Sequence, residues 1–272
     1  MFYTTCAAVM ALLIAGSHMA PGGKHGSPKQ VSRKTYALPN KYQTTLIHDS
    51  QTMMCRLEIS RKGKMLHRLE GFELVGDGGV SQCFRLPALE GEEKLLKTIA
   101  QDVTGNGVPD LVVREYTGGA HCCTVTYVFE LGETFVAFEP VHHGHDNGDN
   151  SFVQADNDAA LEIVIEDWVF AYWHMPFSDS PGAKITLHFM IDKTHGGRWT
   201  FGNIKTQMDS SQTTVYEKRA RGMAATAEGP TAPGNRPDLI RDLLDLVYSG
   251  NAEAVPHYLD LAFTGRDSQK QA

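Results

Sequence analysis

Nothing in the 272 residues is apolar for long enough to cross a bilayer as a helix, so no stable membrane span is expected. Positive charge is also short. The 25 basic residues against 32 acidic ones leave a formal net charge of −7, the wrong sign for neutralising phosphates, and nucleic acid is excluded as a partner. The chain has no Gly-x-Ser-x-Gly elbow, no His-Glu-x-x-His, no Gly-x-x-x-x-Gly-Lys phosphate cradle and no dinucleotide fingerprint. No carboxylate pair stands in a context that marks a general acid and a general base, so no catalytic residue is named. Residues 1–6 carry no Lys or Arg, an omission that weakens an otherwise good export signal.

That signal is the apolar run at 7–15, followed by small residues at Ala15, Ser17 and Ala20 where cleavage would fall. Residues 1–20 are therefore read as a signal peptide of a secreted or periplasmic protein. Residues 21–40, rich in Gly, Pro, Lys and Ser, are read as a flexible leader. Beyond the signal stand Cys55, Cys83, Cys122 and Cys123, an even number suited to an oxidising compartment. A bridge between neighbours is strained, since their Cα atoms sit about 3.8 Å apart and bridges want at least about 4.4 Å. Crossed bonds from Cys122 and Cys123 to Cys55 and Cys83 are sterically easier. Reduced buried thiols and a redox-active vicinal pair are the alternatives.

The richest stretch runs from Asp102. Side-chain oxygens recur at Asp102, Thr104, Asn106 and Asp110, the carbonyl of Val108 can fill the gap, and Gly107 permits a sharp turn. Alternate oxygen donors on a tight loop are how a short segment surrounds a hard cation such as Ca²⁺. Strand, Gly-Gly hairpin and strand follow, the second strand showing Val125, Tyr127, Phe129 and Leu131 at period two. The loop recurs at an offset of 52, which places Gln154, Asp156, Asp158, Ala159 and Glu162 over Asp102, Thr104, Asn106, Gly107 and Asp110. The second copy has lost its first carboxylate and its turn glycine but keeps Asp156, Asp158 and Glu162, and it is read as a weaker calcium site, with a loop that only holds the turn as the alternative.

Turn signals at short intervals through residues 41–216 predict a mainly β domain built as an antiparallel meander, with a β-sandwich as the alternative. Residues 217–237 lack periodicity and are read as a linker. The segment 238–265 is read as a short helical pair. Leu239, Ile240, Leu243, Leu244 and Val247 form the first apolar face, and Tyr258, Leu259, Ala262 and Phe263 the second.

Asp102 to Asp110, and more weakly Gln154 to Glu162, resemble the FG-GAP or VCBS repeat, the calcium-loop blade of integrin α-subunit propellers and many exported bacterial proteins. The run Gly118-Gly119-Ala120-His121-Cys122-Cys123 and the Leu244 to Gly250 tail resemble a group of uncharacterised exported bacterial proteins. The likeness spans roughly residues 94–204 and that tail. It implies blade-like four-stranded sheets with Ca²⁺ in the loop, and no known activity. A closed seven-bladed propeller does not fit 272 residues at about 60 per blade.

Three other features bear on chemistry. His142, His143, His145, Asp146 and Asp149 could ligate a transition metal, but neighbours in one loop seldom converge on an ion, and a solvated loop is the plainer reading. His121 beside the Gly-Gly turn is read as a backbone partner before a catalytic group. Trp168, Tyr172, Trp173 and Trp199 are read as core, with a carbohydrate-stacking platform as the alternative. Two functions follow: an exported, calcium-braced, non-enzymatic module for a protein or carbohydrate ligand, or a hydrolase using the 142–149 loop or the aromatic platform.

Overall fold

The computed structural model describes residues 31–72, 74–76, 79–81, 83–90, 95–117, 124–143, 151–192, 196–201 and 210–265. The first sheet takes its strands in chain order: β1 (Val31–Ala37), β2 (Tyr42–Asp49), β3 (Met54–Arg61) and β4 (Lys64–Phe72), all antiparallel. Alternation fixes its faces. In β3, Cys55, Leu57 and Ile59 point into a core while Arg56, Glu58 and Ser60 between them are only half-buried. β1 corrects part of the flexible leader at 21–40, since Val31–Ala37 form a strand. Its seven residues are almost all exposed and carry no core pattern; the ladder with β2, from Val31↔Asp49 to Ala37↔Gln43, is what holds it.

A two-stranded ribbon, β5 (Leu74–Gly76) with β6 (Gly79–Ser81), leads to the second sheet. That sheet joins β7 (Phe84–Arg85), β8 (Asp110–Tyr116), β9 (Thr124–Leu131) and β10 (Phe135–Ala137), with β11 (Val141–His142) also on β9 and the short helix α1 (Pro87–Glu90) after β7. The third sheet runs β12 (Ser151–Val153), β13 (Glu162–Asp167), β14 (Ala183–Asp192) and β15 (Gly196–Phe201). The chain is thus mainly β, in antiparallel sheets, and the described strands close no barrel.

The second sheet is buried on both faces, which is why Leu111, Val112 and Val113 of β8 are apolar in succession and not in alternation. Leu111, Val113, Phe129 and Leu131 pack with Tyr42, Leu57 and Ile59 of the first sheet. Val112 and Val128 turn the other way, onto Phe152, Ile163 and Trp199 of the third. Cutting Leu111 back to Ala is expected to cost about 2–5 kcal/mol.

Cys55 and Cys83 are bonded to each other, with Cα atoms 6.4 Å apart, and so tie β3 to the start of β7. This corrects the crossed pairing. Cys83 immediately precedes a strand in contact with β3, so each of the two sulfurs already has its partner, and the Cα separation falls within the usual window of about 4.4–6.8 Å. Cys122 and Cys123, like the signal peptide at 1–20, His121 and the Gly-Gly turn, lie outside the described residues.

Helix α2 (Ser210–Ala225) replaces the first part of the predicted linker at 217–237. It escaped notice because few apolar side chains drive it: Ala220 and Met223 are buried and Tyr216 half-buried, all against the tail. α3 (Arg236–Tyr248) and α4 (Val255–Ala262) form the expected pair, with Pro237 in the first turn of α3 and Gly250 at φ 76° beyond its end. The face of α3 differs from the reading: Leu239 and Leu246 are buried and Val247 is exposed. Asp242 is buried between them, accepting from Arg219 at 2.7 Å and from the Tyr258 hydroxyl at 2.8 Å. Tyr248 donates to Asp167 at 2.6 Å, fastening α3 to the third sheet. No helix among the described residues is long and apolar enough to cross a membrane.

Candidate metal centre in two equivalent loops

The two oxygen-rich loops share one backbone plan. Each ends where a strand begins, at Asp110 of β8 and at Glu162 of β13. Each of these residues pairs with the strand before the loop, through Gln101↔Asp110 and Val153↔Glu162. The last carboxylate reaches back to the loop's second residue in both: Val103 donates its N–H to Asp110 Oδ2 at 2.9 Å, and Ala155 donates to Glu162 Oε2 at 2.6 Å. The Val108 N–H meets Asn106 Oδ1 at 2.8 Å, and the Ala160 N–H meets Asp158 Oδ1 at 2.8 Å. Gly105 at φ 74° and Asn157 at φ 68° take the same left-handed step. The loops part at Gly107, which is left-handed at φ 82°, whereas Ala159 is not.

In the first loop Asp102 is the organiser, its Oδ1 accepting from Gly105 and its Oδ2 from Gly107, both at 2.7 Å. Thr104 is buried and gives both its N–H and its hydroxyl to Asp110 Oδ2 at 3.1 Å. Asn106 is exposed, and its amide donates to Glu130 Oε2. Glu130 stands directly opposite Asp110 across the β8–β9 ladder. Asp110 is fully buried, and its Oδ1 has no hydrogen-bond partner. Burial pushes its carboxyl up to about 7, against the pull of the Val103 and Thr104 donors and with help from the charge on Asp102.

The second loop gains a residue that the loop itself does not contain. The β13–β14 ladder pairs Ile163 with Leu187 and Val164 with Thr186, and the next step sets His188 across from Glu162, as Glu130 is set across from Asp110. His188 Nδ1 lies 3.7 Å from Glu162 Oε1 and 3.7 Å from Asp156 Oδ2. Asp156 Oδ1 is occupied by the Asp158 N–H at 3.0 Å, and Glu162 Oε2 by Ala155, so each carboxylate keeps its other oxygen toward the ring. Glu162 is 1% exposed, its Oε1 has no hydrogen bond, and burial raises its carboxyl above the ordinary range. Asp158 takes no part in this group. Among the described residues only Asp156, Glu162 and His188 bring three such ligand atoms within 4.8 Å of one another; Asp102 and Asp110 do not belong to a set that tight.

The loops lie against each other. The Leu161 N–H donates to the Val103 carbonyl at 2.8 Å, and the Leu161 carbonyl accepts from the Trp199 indole at 3.0 Å. A Cβ on Gly105 would stand 2.4 Å from the Ala160 nitrogen, so glycine is required there for contact as well as for backbone angle.

The remaining candidates separate. His142 is exposed on β11, while His143 is buried with Nε2 2.7 Å from Thr126 Oγ1; His145, Asp146 and Asp149 lie outside the described residues. The aromatic run divides, which corrects its assignment to the core. Trp199 is buried among Phe138, Phe152 and Phe189, but Tyr172 and Trp173 are 61% and 48% exposed. They sit on a loop turned by left-handed Tyr172 and His174, with Trp168 stacked on Phe177 at 4.9 Å. A cavity of about 610 Å³ beside Ile47, Cys55 and Phe84 lies away from both loops and includes no carboxylate in its described wall.

No family model, curated protein or solved structure matches the chain. Sequence reasoning found Asp156 and Glu162 but missed His188 and Glu130. Each of the two stands opposite the last carboxylate of its loop in the β-ladder, and the period-two phase of strand 184–191 was the only available signal.

Proposed function

We propose that the protein is an exported, calcium-braced module without catalytic activity of its own, built of FG-GAP/VCBS-like blades and presenting loops to a protein or carbohydrate partner. One observation carries the calcium: Asp110 Oδ1, buried without a hydrogen bond at the position where an oxygen loop closes on its ion. Asp102, Thr104, Asn106 and the Val108 carbonyl would complete the set. Carboxylate oxygens that already accept one N–H keep a lone pair for a cation. Calcium supplies charge that offsets the repulsion between Asp102 and Asp110 and the cost of burying the latter. The Cys55–Cys83 pairing supports an oxidising compartment. Val169, Tyr172 and Trp173, all exposed on one loop, support a recognition surface.

Thermal melting in calcium and in chelator tests this. Extracellular oxygen-loop sites bind at about 10⁻⁴–10⁻³ M, and a hundredfold excess over the dissociation constant adds about 2.7 kcal/mol. Wild type should melt higher in calcium and Asp102→Asn should lose the gain. An unchanged melting temperature in saturating calcium rejects the proposal.

A further inference from the structure

The second loop differs from the first in the one respect that decides metal choice, the donor facing its last carboxylate. We propose that Asp156 Oδ2, Glu162 Oε1 and His188 Nδ1 form a binding site for a divalent transition cation of the zinc class, separate from calcium in the first loop. The three atoms come from two elements and a loop that the sheet already fixes: Glu162 starts β13, His188 lies opposite on β14, and Asp156 hangs from the turn between β12 and β13. The two 3.7 Å separations from His188 Nδ1 are slightly wider than the roughly 3.4 Å between tetrahedral ligands at about 2.1 Å from one ion, and the three ligand atoms all lie within 4.8 Å of one another, so the side chains have only to close inward on the ion.

Burial supports a ligand here. Glu162 Oε1 and both ring nitrogens of His188 are shielded from solvent, and none has a hydrogen bond among the described residues. Buried polar atoms are ordinarily satisfied, so Glu162 Oε1 and His188 Nδ1, unsatisfied and 3.7 Å apart, call for a partner between them. A carboxylate and an imidazole 3.7 Å apart are also too distant to satisfy each other by a hydrogen bond.

The donor types choose the ion. Imidazole suits zinc, nickel and copper, whereas calcium takes about six to eight oxygens and this group offers one from Asp156 and one from Glu162. The leading position has changed as well: Gln154 stands where the first loop has Asp102, and it points its amide at the Asp158 carbonyl. Asp156, the most exposed of the three, gives an ion its way in, with 28% of its side chain accessible. Three protein ligands leave a fourth position for solvent or for a donor from a partner.

The test is calorimetric titration of the metal-free full chain with Zn²⁺, paired with the visible spectrum of the Co²⁺ form. Wild type should bind one equivalent, and Co²⁺ should give a ligand-field band. His188→Gln and Glu162→Gln, which keep the side-chain bulk, should each weaken Zn²⁺ by at least the ~100-fold that loss of even an outer-shell partner can cost. His142→Ala should bind as wild type does. The calcium-dependent melting shift should survive in His188→Gln, so that failure of this proposal and failure of the calcium reading give different results. Should the Gln variants not fold, X-ray absorption at the zinc edge of wild type must show one imidazole in an N/O shell. Absence of Zn²⁺ binding, retention of tight binding in folded His188→Gln, several imidazoles or sulfur in the shell, or displacement of Zn²⁺ by equimolar Ca²⁺ would each overturn the proposal.

Discussion

The two loops have nearly the same backbone hydrogen bonds and the same left-handed step, yet different donors, and the difference lies partly outside both loops. Across from Asp110 stands Glu130; across from Glu162 stands His188. A repeat of this kind conserves the turn and lets the neighbouring strand set the chemistry. The turn is a matter of N–H groups finding carboxylate oxygens, and it survives loss of Asp102 to Gln154 and of Gly107 to Ala159. The side chains that face the last carboxylate do change, and His188 of β14 lies 3.7 Å from Glu162 Oε1.

The comparison breaks most severely at Gly105. Its Ala variant would need a left-handed backbone and a Cβ inside the Ala159–Ala160 peptide, and should lose at least about 3 kcal/mol in urea denaturation. A loss below about 1 kcal/mol would mean that the loops are not in contact. Next comes acidity. Without metal the Asp110 carboxyl titrates near 7 in the folded protein, far above its value in the unfolded chain. Between about pH 4 and pH 7 the folded state therefore holds a proton that the unfolded state has released, and stability falls as pH rises through that window, by up to about 4 kcal/mol. Calcium should flatten the slope, and Asp110→Asn should remove it. A metal-free melting temperature that rises steadily from pH 4 to 7 in wild type and variant alike would contradict the burial of this carboxyl. Thr104→Val removes one donor from Asp110 Oδ2 and should cost about 1 kcal/mol, with a steeper acid dependence. The smallest effect belongs to Asn157→Gly, the counterpart of Gly105. It should shift stability by less than about 1 kcal/mol, because asparagine already tolerates the left-handed angle; a large loss would show that the Asn157 side chain has a role its twin lacks.

Much of this was legible in the chain. The offset of 52 places Asp110 and Glu162 at corresponding strand starts. What escaped is what depends on partners distant in sequence. β1 is polar and becomes a strand only through its ladder with β2. α2 is mostly polar and is held by a few buried contacts with α4 and the tail. Trp199 and Trp173 look alike in a window of residues, and only the fold buries one and exposes the other. His188 became a site residue through strand register, which no local pattern encodes.

The middle sheet has a consequence for motion. Because β8 is covered on one side by the first sheet and on the other by the third, peeling away either neighbour still leaves it half covered. Amide hydrogens of Leu111, Val112 and Val113 should exchange with solvent only when the whole molecule opens, whereas those of β1, at a bare edge, should exchange by fraying within much shorter times. Unfolding then proceeds from the outside inward, and the loop that ends in Asp110, rooted in the last strand to let go, keeps its shape until the end.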